Sequence, residues 1–346
     1  MTGAAALVVA STLHLAARGA DDRQAPKTEA VLRTQLQLSD SDLSALRQGR
    51  AIVKTLPAQM NREMITAGAV RIHGASMPRF IEEFKALEGF RTSQFVKQLQ
   101  KFSDPPRLSD LDSLTVEPED IDALRGCRVD SCDVQLAAAD IERFAREIDW
   151  RAPDAARRAA ALYKSVLFGY LTSYRGGGRD RLVHYRDRED GVQLSAEIAA
   201  LQDASPSVLD LAPAFHTYLR QYPAADARGT ESFFYWSKEA FGFKPVVGLN
   251  HVALHTDEAS GRVLIVTTQI YASHYIQGTV AINLLMPDQA AGQEPGFYWL
   301  YLNRSRVGRL GGLLGAISRP IVQRRARSGL TKSLTQTKQR FEAGRR

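Results

Sequence analysis

Four short stretches bring together residue types that can do chemistry. The first is Tyr235-Trp236-Ser237-Lys238-Glu239, which reads as a strand. Strand alternation puts Tyr235, Ser237 and Glu239 on one face and Trp236 and Lys238 on the other. This suits an aromatic cavity wall with Glu239 at its mouth; it also suits core aromatics beside a surface charge pair. The second is Tyr271-Ala272-Ser273-His274-Tyr275. As a strand it places Tyr271, Ser273 and Tyr275 on one face and His274 on the other. Neighbouring Ser and His side chains diverge on a strand, so they make no nucleophile–base pair. His274 is a candidate for holding a polar head group or for general acid–base work, or a hydrogen-bonded structural histidine. The third is His251 and His255, four apart on one face of a predicted strand. At about 3.3 Å per residue they stand roughly 13 Å apart, too far for one metal ion on a straight strand. The fourth is Asn303-Arg304-Ser305-Arg306, at the end of the last predicted strand. Arginines there could hold a phosphate or carboxylate by paired hydrogen bonds, or make ion pairs on a solvated turn.

Familiar catalytic signatures are missing from the sequence. There is no G-x-S-x-G and no H-E-x-x-H. Gly176-Gly177-Gly178 ends a predicted helix and lacks the Lys-Ser/Thr of a phosphate loop. No metal site and no cofactor is expected. The two cysteines, Cys127 and Cys132, are expected to form a structural disulfide that pins a small turn.

These stretches need a scaffold, and the chain is long enough to supply one. It has 346 residues, 44% hydrophobic and 24% charged, with 45 Lys+Arg against 38 Asp+Glu. This composition excludes disordered, collagenous and disulfide-dense classes. Residues 23–38 are polar and read as a linker. Ser39 or Asp40 caps a short helix. Ala51–Leu56 and Glu63–His73 read as strands, and a helix follows from Ser76, with Phe80, Ile81, Phe84 and Leu87 on one face. The region 39–106 therefore opens the core. Residues 107–229 read as a helical insertion. Its clearest helix runs from Pro153 to the three glycines, with Leu162, Tyr163, Val166, Leu167, Tyr170 and Tyr174 in its apolar stripe. Residues 230–346 read as about five antiparallel strands and a long helix over 313–343.

Both ends of the chain carry signals. Residues 1–22 begin with an uncharged, apolar stretch followed by small residues, as in a secretory signal peptide. Export to the periplasm or medium is the expectation, with a cytoplasmic protein as the alternative. Residues 304–346 hold twelve Lys/Arg against one acid, Glu342. A basic helix with an apolar stripe suits an anionic membrane surface. Nucleic acid is an unlikely partner, because no nucleic-acid fold motif accompanies the charge.

The element order resembles the START-like (SRPBCC, helix-grip) superfamily. Gly49–Ile72, Met77–Phe84 and the stretch from Gln269 through the terminal helix carry the resemblance. It implies an α+β fold: a curved antiparallel sheet gripping a long C-terminal helix, here with a helical insertion. Tyr235–Glu239, Tyr271–Tyr275 and Leu302–Arg306 are also similar to phrases in a family of uncharacterised exported bacterial proteins, which implies no activity. The superfamily resemblance implies an apolar or amphipathic, lipid-like ligand in a sheet–helix cavity. Tyr235, Trp236, Tyr271, His274, Tyr275, Asn303 and Arg304 are its candidate lining. A hydrolase or cyclase pairing His274 or His251 with Glu239 is the alternative. A structural module with a protein-binding helical block is a further one.

Overall fold

The computed structural model describes residues 24–87, 93, 95–225, 228–240, 244–288, 295–308 and 312–343. The proposed signal peptide, residues 1–22, lies outside them. The fold is α+β. One eight-stranded antiparallel sheet, curved and unclosed, carries a C-terminal helix on one face.

The first elements are α1 (Gln24–Leu36), α2 (Asp40–Arg47), β1 (Ile52–Leu56), β2 (Glu63–His73), α3 (Met77–Lys85) and β3 (Val96–Lys101). The stretch 23–38, expected as a linker, is thus largely helix. Leu32 and Leu36, one turn apart, are its buried contacts, and two leucines in a polar stretch are a faint helix signal. α2 starts with a capping box: the Ser39 hydroxyl accepts from the Asp42 amide at 3.2 Å, and the Asp42 carboxylate accepts from the Ser39 amide at 3.0 Å.

The helical block follows, with α4 (Pro118–Gly126), α5 (Ala138–Glu147), α6 (Ala155–Gly177), the two-residue strands β4 (His184–Tyr185) and β5 (Val192–Gln193), α7 (Leu194–Asp203), α8 (Pro206–Leu209) and α9 (Pro213–Gln221). α6 stops where Gly178 takes a positive φ of 60°. A side chain there would collide with the Tyr222 carbonyl. The meander β6 (Thr230–Glu239), β7 (Val246–Asp257), β8 (Arg262–Ala272), β9 (Ile276–Asp288) and β10 (Gly296–Val307) then builds most of the sheet. Its strand order is β1-β2-β10-β9-β8-β7-β6-β3. The chain closes with α10 (Gly312–Ala343), which continues through Pro320.

The sheet has two covered faces. On the block face, Ile65, Leu249, Ala253, Leu264, Val266, Tyr271, Ile282, Leu284, Leu300 and Trp236 join one core with Phe144, Tyr163, Leu167, Leu171 and Leu201 of the helices. The inserted residues therefore share a core with the sheet. On the other face, here the grip face, Val70, Ile72, Val252, Leu254, Val263, Ile265, Leu285, Phe297 and Trp299 pack with Phe80, Leu334 and Phe341. α10 runs along β2: Arg319 Nη2 donates to the Glu63 carbonyl at 2.7 Å, Leu334 lies over Gly68, and Glu342 accepts from the His73 amide at 2.9 Å. From the opposite edge, the ring of Phe95 rests on α10 at Gly329. Both edges of the sheet thus touch the helix.

The Cys127–Cys132 disulfide forms at the end of α4. Its turn is tied to the segment before β5: Asp130 N donates to Arg186 O at 2.7 Å and Cys132 N to Asp187 O at 3.1 Å. Closing so small a loop restricts the unfolded chain, by about 2 kcal/mol in the chain-entropy account. Replacing both cysteines by serine should lower the unfolding free energy by about that much in a urea titration. An unchanged midpoint would mean that the backbone bonds alone hold the turn.

Candidate functional site

The seven candidate residues do not share one space. Tyr235 and Asn303 lie on the grip face, because their strand neighbours Trp236, Leu302 and Arg304 face the block. Trp236 is buried against the block and donates from Nε1 to the Asp110 carbonyl at 2.8 Å. Lys238 follows it onto that face, donating to the Thr115 carbonyl at 2.9 Å and pairing with Glu117. Tyr271 and Tyr163 join their hydroxyls at 3.0 Å under α6.

His274 also faces the block, not the side opposite Tyr271. The reason is that β8 ends at Ala272, so the alternation stops before Ser273. Its Nδ1 lies 2.8 Å from the Asp133 carbonyl and its Nε2 3.0 Å from Asp120 Oδ1. This buried pair fastens α4 to the turn after β8. Tyr275 sits in that turn at a positive φ of 34° and donates to the Lys244 carbonyl at 3.2 Å. Arg304 and Arg306 do not stand at a solvated mouth, because β10 runs on to Val307. Arg304 pairs with the buried Glu63 at 3.5 Å, and Arg306 with Glu197 at 3.0 Å. Both arginines are therefore committed inside the protein.

The pairing of Glu239 with a histidine is not formed. His251 is on the block face, ringed by Tyr174, Tyr222 and Phe234, with its Nδ1 3.0 Å from the Tyr174 hydroxyl. Glu239 is on the grip face with Ser237. His255, on the same face as His251, stacks on Phe215. Among the described residues no group of three or more His, Cys, Asp or Glu is placed to hold a metal ion.

What the grip face does assemble is a polar cradle over Gly248. The register sets Ser237 beside Gly248, and Tyr235 beside Asn250 and then Gln269. A β-bulge at Leu249/Asn250 brings Gln269 into that row. Gly248 is in extended backbone, and its missing side chain is the point. A Cβ there would meet Gln269 Nε2 at 3.0 Å, Asn250 Nδ2 at 3.6 Å and Ser237 Oγ at 3.7 Å. A glycine inside a strand marks a close approach, and here three polar side chains converge on it. Ser237 donates to Glu239 Oε1 at 2.7 Å, and Asn250 Nδ2 donates to Ser237 Oγ at 3.4 Å. Gln269 Oε1 is buried and finds no hydrogen-bond partner among the described residues, which is costly unless something donates to it.

Burial governs the electrostatics of this face. Burial pushes the Glu239 carboxyl above the usual carboxylate range. Burial also holds the Tyr235 phenol well above its usual value, with Glu239 and Tyr301 adding to the rise. Tyr301 is pushed up to about 12 by burial, moderated by its bond to Asn303, and it too feels Glu239. Tyr301 is on β10 and Tyr235 on β6, with three strands between them. The sheet is curved, and both phenols feel the Glu239 carboxyl.

The grip face is graded along the strands. At one end Trp299, Leu285, Val263 and Leu254 are filled in by Phe80, Phe341 and Leu334. Toward the other end lie Tyr235, Ser237, Glu239, Asn250, Gln269, Thr267, Thr279, Asn303 and Ser305, polar groups on a face that buries apolar ones elsewhere. Ser305 donates to Asn303 at 2.8 Å, and Thr279 pairs with Ser305 at 3.1 Å. Sequence reasoning noticed Tyr235, Ser237 and Glu239 but missed Gly248, Asn250 and Gln269. A signal was present: G-x-N in a β-branched strand puts two non-apolar positions on one face. No family model matches this chain, and no curated protein does.

Proposed function

We propose that the protein binds a small amphipathic molecule on the grip face, with the molecule's polar group in the Gly248 cradle. The observation that carries this reading is the convergence of Ser237, Asn250 and Gln269 on a position without a side chain, beside a buried acceptor with no donor. Packing of Phe80, Phe341 and Leu334 occupies the apolar end, so a short apolar portion suits the site better than a long acyl chain. The helix-grip resemblance supports ligand binding between sheet and helix. A binding role is favoured over catalysis, because Glu239 has no histidine beside it among the described residues.

The setting belongs to the same proposal. The Cys127–Cys132 bridge supports an oxidising compartment, in keeping with export. The outer side of α10 exposes Ile321, Arg324, Arg325, Arg327 and Lys332 together. An exposed isoleucine among cations suits an anionic lipid surface. Neutralising Arg324 and Arg327 to glutamine should weaken sedimentation with phosphatidylserine-containing vesicles about tenfold or more. Equal sedimentation of variant and wild type would remove the membrane from the reading.

The direct test is native mass spectrometry of protein from its source, with extraction of what is bound, beside Gly248→Leu. A leucine fills the cradle. The expected result is a near-stoichiometric small molecule on the wild type and none on the variant, both showing the same circular dichroism spectrum. Equal occupancy in the two proteins would place binding elsewhere, and an empty wild type that also takes up no amphiphile would end the proposal.

A further inference from the structure

Four inward-facing acids each have a basic partner, and among the described residues Glu239 does not. Glu63 faces Arg304, Asp288 pairs with Arg71, Asp120 with His274, and Glu197 with Arg306. Glu239 has no basic side chain within ion-pair reach among the described residues. Its neighbour is the neutral Ser237 hydroxyl at 2.7 Å. A carboxylate held largely out of water without a counter-charge is costly, and four acids on the same scaffold avoid that cost.

The donor and acceptor inventory of the cradle points the same way. Ser237 donates its one hydrogen to Glu239, and Asn250 turns an amide hydrogen toward Ser237. Gln269 Oε1 remains without a donor. The group that completes the cradle must therefore donate hydrogen bonds. Tyr235 and Tyr301 flank Glu239 closely enough to feel its charge, and aromatic rings near a carboxylate favour a cation.

We propose that the ligand is a primary amine whose ammonium group pairs with Glu239 and donates to Gln269 Oε1. This rests on the cradle being the binding site. An ammonium carries three donors and no acceptor, which matches one carboxylate and one amide oxygen. A carboxylate or phosphate head would meet Glu239 with like charge and leave the Gln269 oxygen unanswered.

The test uses three probes of one chain length: hexylamine, hexanol and hexanoate. Each is titrated into the full protein by calorimetry at neutral pH, with chemical shifts of the Gly248 amide read by NMR. Hexylamine should bind about tenfold tighter than hexanol, the gain of one charge-assisted contact, and hexanoate weakest. Glu239→Gln should remove that preference, bringing hexylamine and hexanol to similar affinities. Asn250→Asp, which adds an acid to the cradle, should increase the preference and serves if Glu239→Gln fails to fold. Hexanol binding as tightly as hexylamine at Gly248, or a preference that survives Glu239→Gln, overturns the amine assignment and leaves the binding site standing. No shift at Gly248 with any probe overturns both.

Discussion

The protein should lose stability steadily as pH falls from about 6.5 toward about 3, with His251 as the main cause above pH 4. His251 is 2% exposed, and burial alone depresses its pKa to about 3, from an unfolded value of 6.5. Among the described residues no acid pairs with it to favour the imidazolium; Tyr174, Tyr222 and Phe234 surround it instead. Between the two values the unfolded chain binds a proton that the folded protein refuses. Stability therefore rises with pH across this window and falls as acid is added. The slope is about 1.4 kcal/mol per pH unit, and the full loss approaches about 5 kcal/mol. His255 is also depressed by burial and adds in the same direction, while Glu239 and Asp187, whose carboxyls burial pushes up, act in the opposite one and make the net slope shallower. Paired carboxylates act lower: Asp42 is held at about 2 by Lys54 and the Ser39 amide, so its contribution is lost only as pH falls below the ordinary carboxylate range. Urea titrations at half-unit steps from pH 4 to 7 read the slope. His251→Phe should flatten it while lowering stability near neutrality, because Tyr174 loses its partner. A wild-type slope that survives in His251→Phe would assign the protons to other groups.

The order of elements was legible because it rests on local periods. The stripe Tyr163, Val166, Leu167, Tyr170, Tyr174 repeats at helical spacing, and α6 is where that spacing places it. The strands of the meander were legible from their β-branched and aromatic runs. α1 was not, since among its described residues just two apolar side chains, Leu32 and Leu36, are fully buried. The site was half legible. Alternation placed Tyr235, Ser237 and Glu239 together without error, because β6 is regular there. It failed at His274, beyond the end of β8, and it gave no sign of Gln269, which reaches Asn250 through a bulge. Alternation also says which residues share a face, not what covers it. Arg304 looked like an anion ligand at a turn because its partner, Glu63, lies far away in sequence on β2. Only the pairing of β10 with β2 brings the two together.

That pair carries the second large effect. Glu63→Ala should lower the unfolding free energy by about 3–5 kcal/mol, more than most single substitutions. Glu63 is fully buried and Arg304 is 4% exposed. Arg304 also donates to the Ala204 carbonyl at the end of α7, so it ties the helical block to the sheet. Burial already disfavours the Arg304 cation, and Glu63 is what opposes that. The carboxylate has further work: it accepts from the Gln59 amide at 2.8 Å and the Met60 amide at 3.0 Å, closing the turn that leads into β2. Alanine removes the counter-charge and the oxygen that accepts from both amides at once. What remains is a buried guanidinium and two amides without partners, which costs more than the pair itself contributes. The double variant Glu63→Gln/Arg304→Met separates these terms. Glutamine keeps an acceptor for the turn, and methionine fills the arginine's volume without its charge. It should recover about half or more of the loss seen in Glu63→Ala, measured by urea unfolding at pH 7. If the double variant is as unstable as the single one, the loss comes from the turn at residues 59–60 and not from the stranded charge.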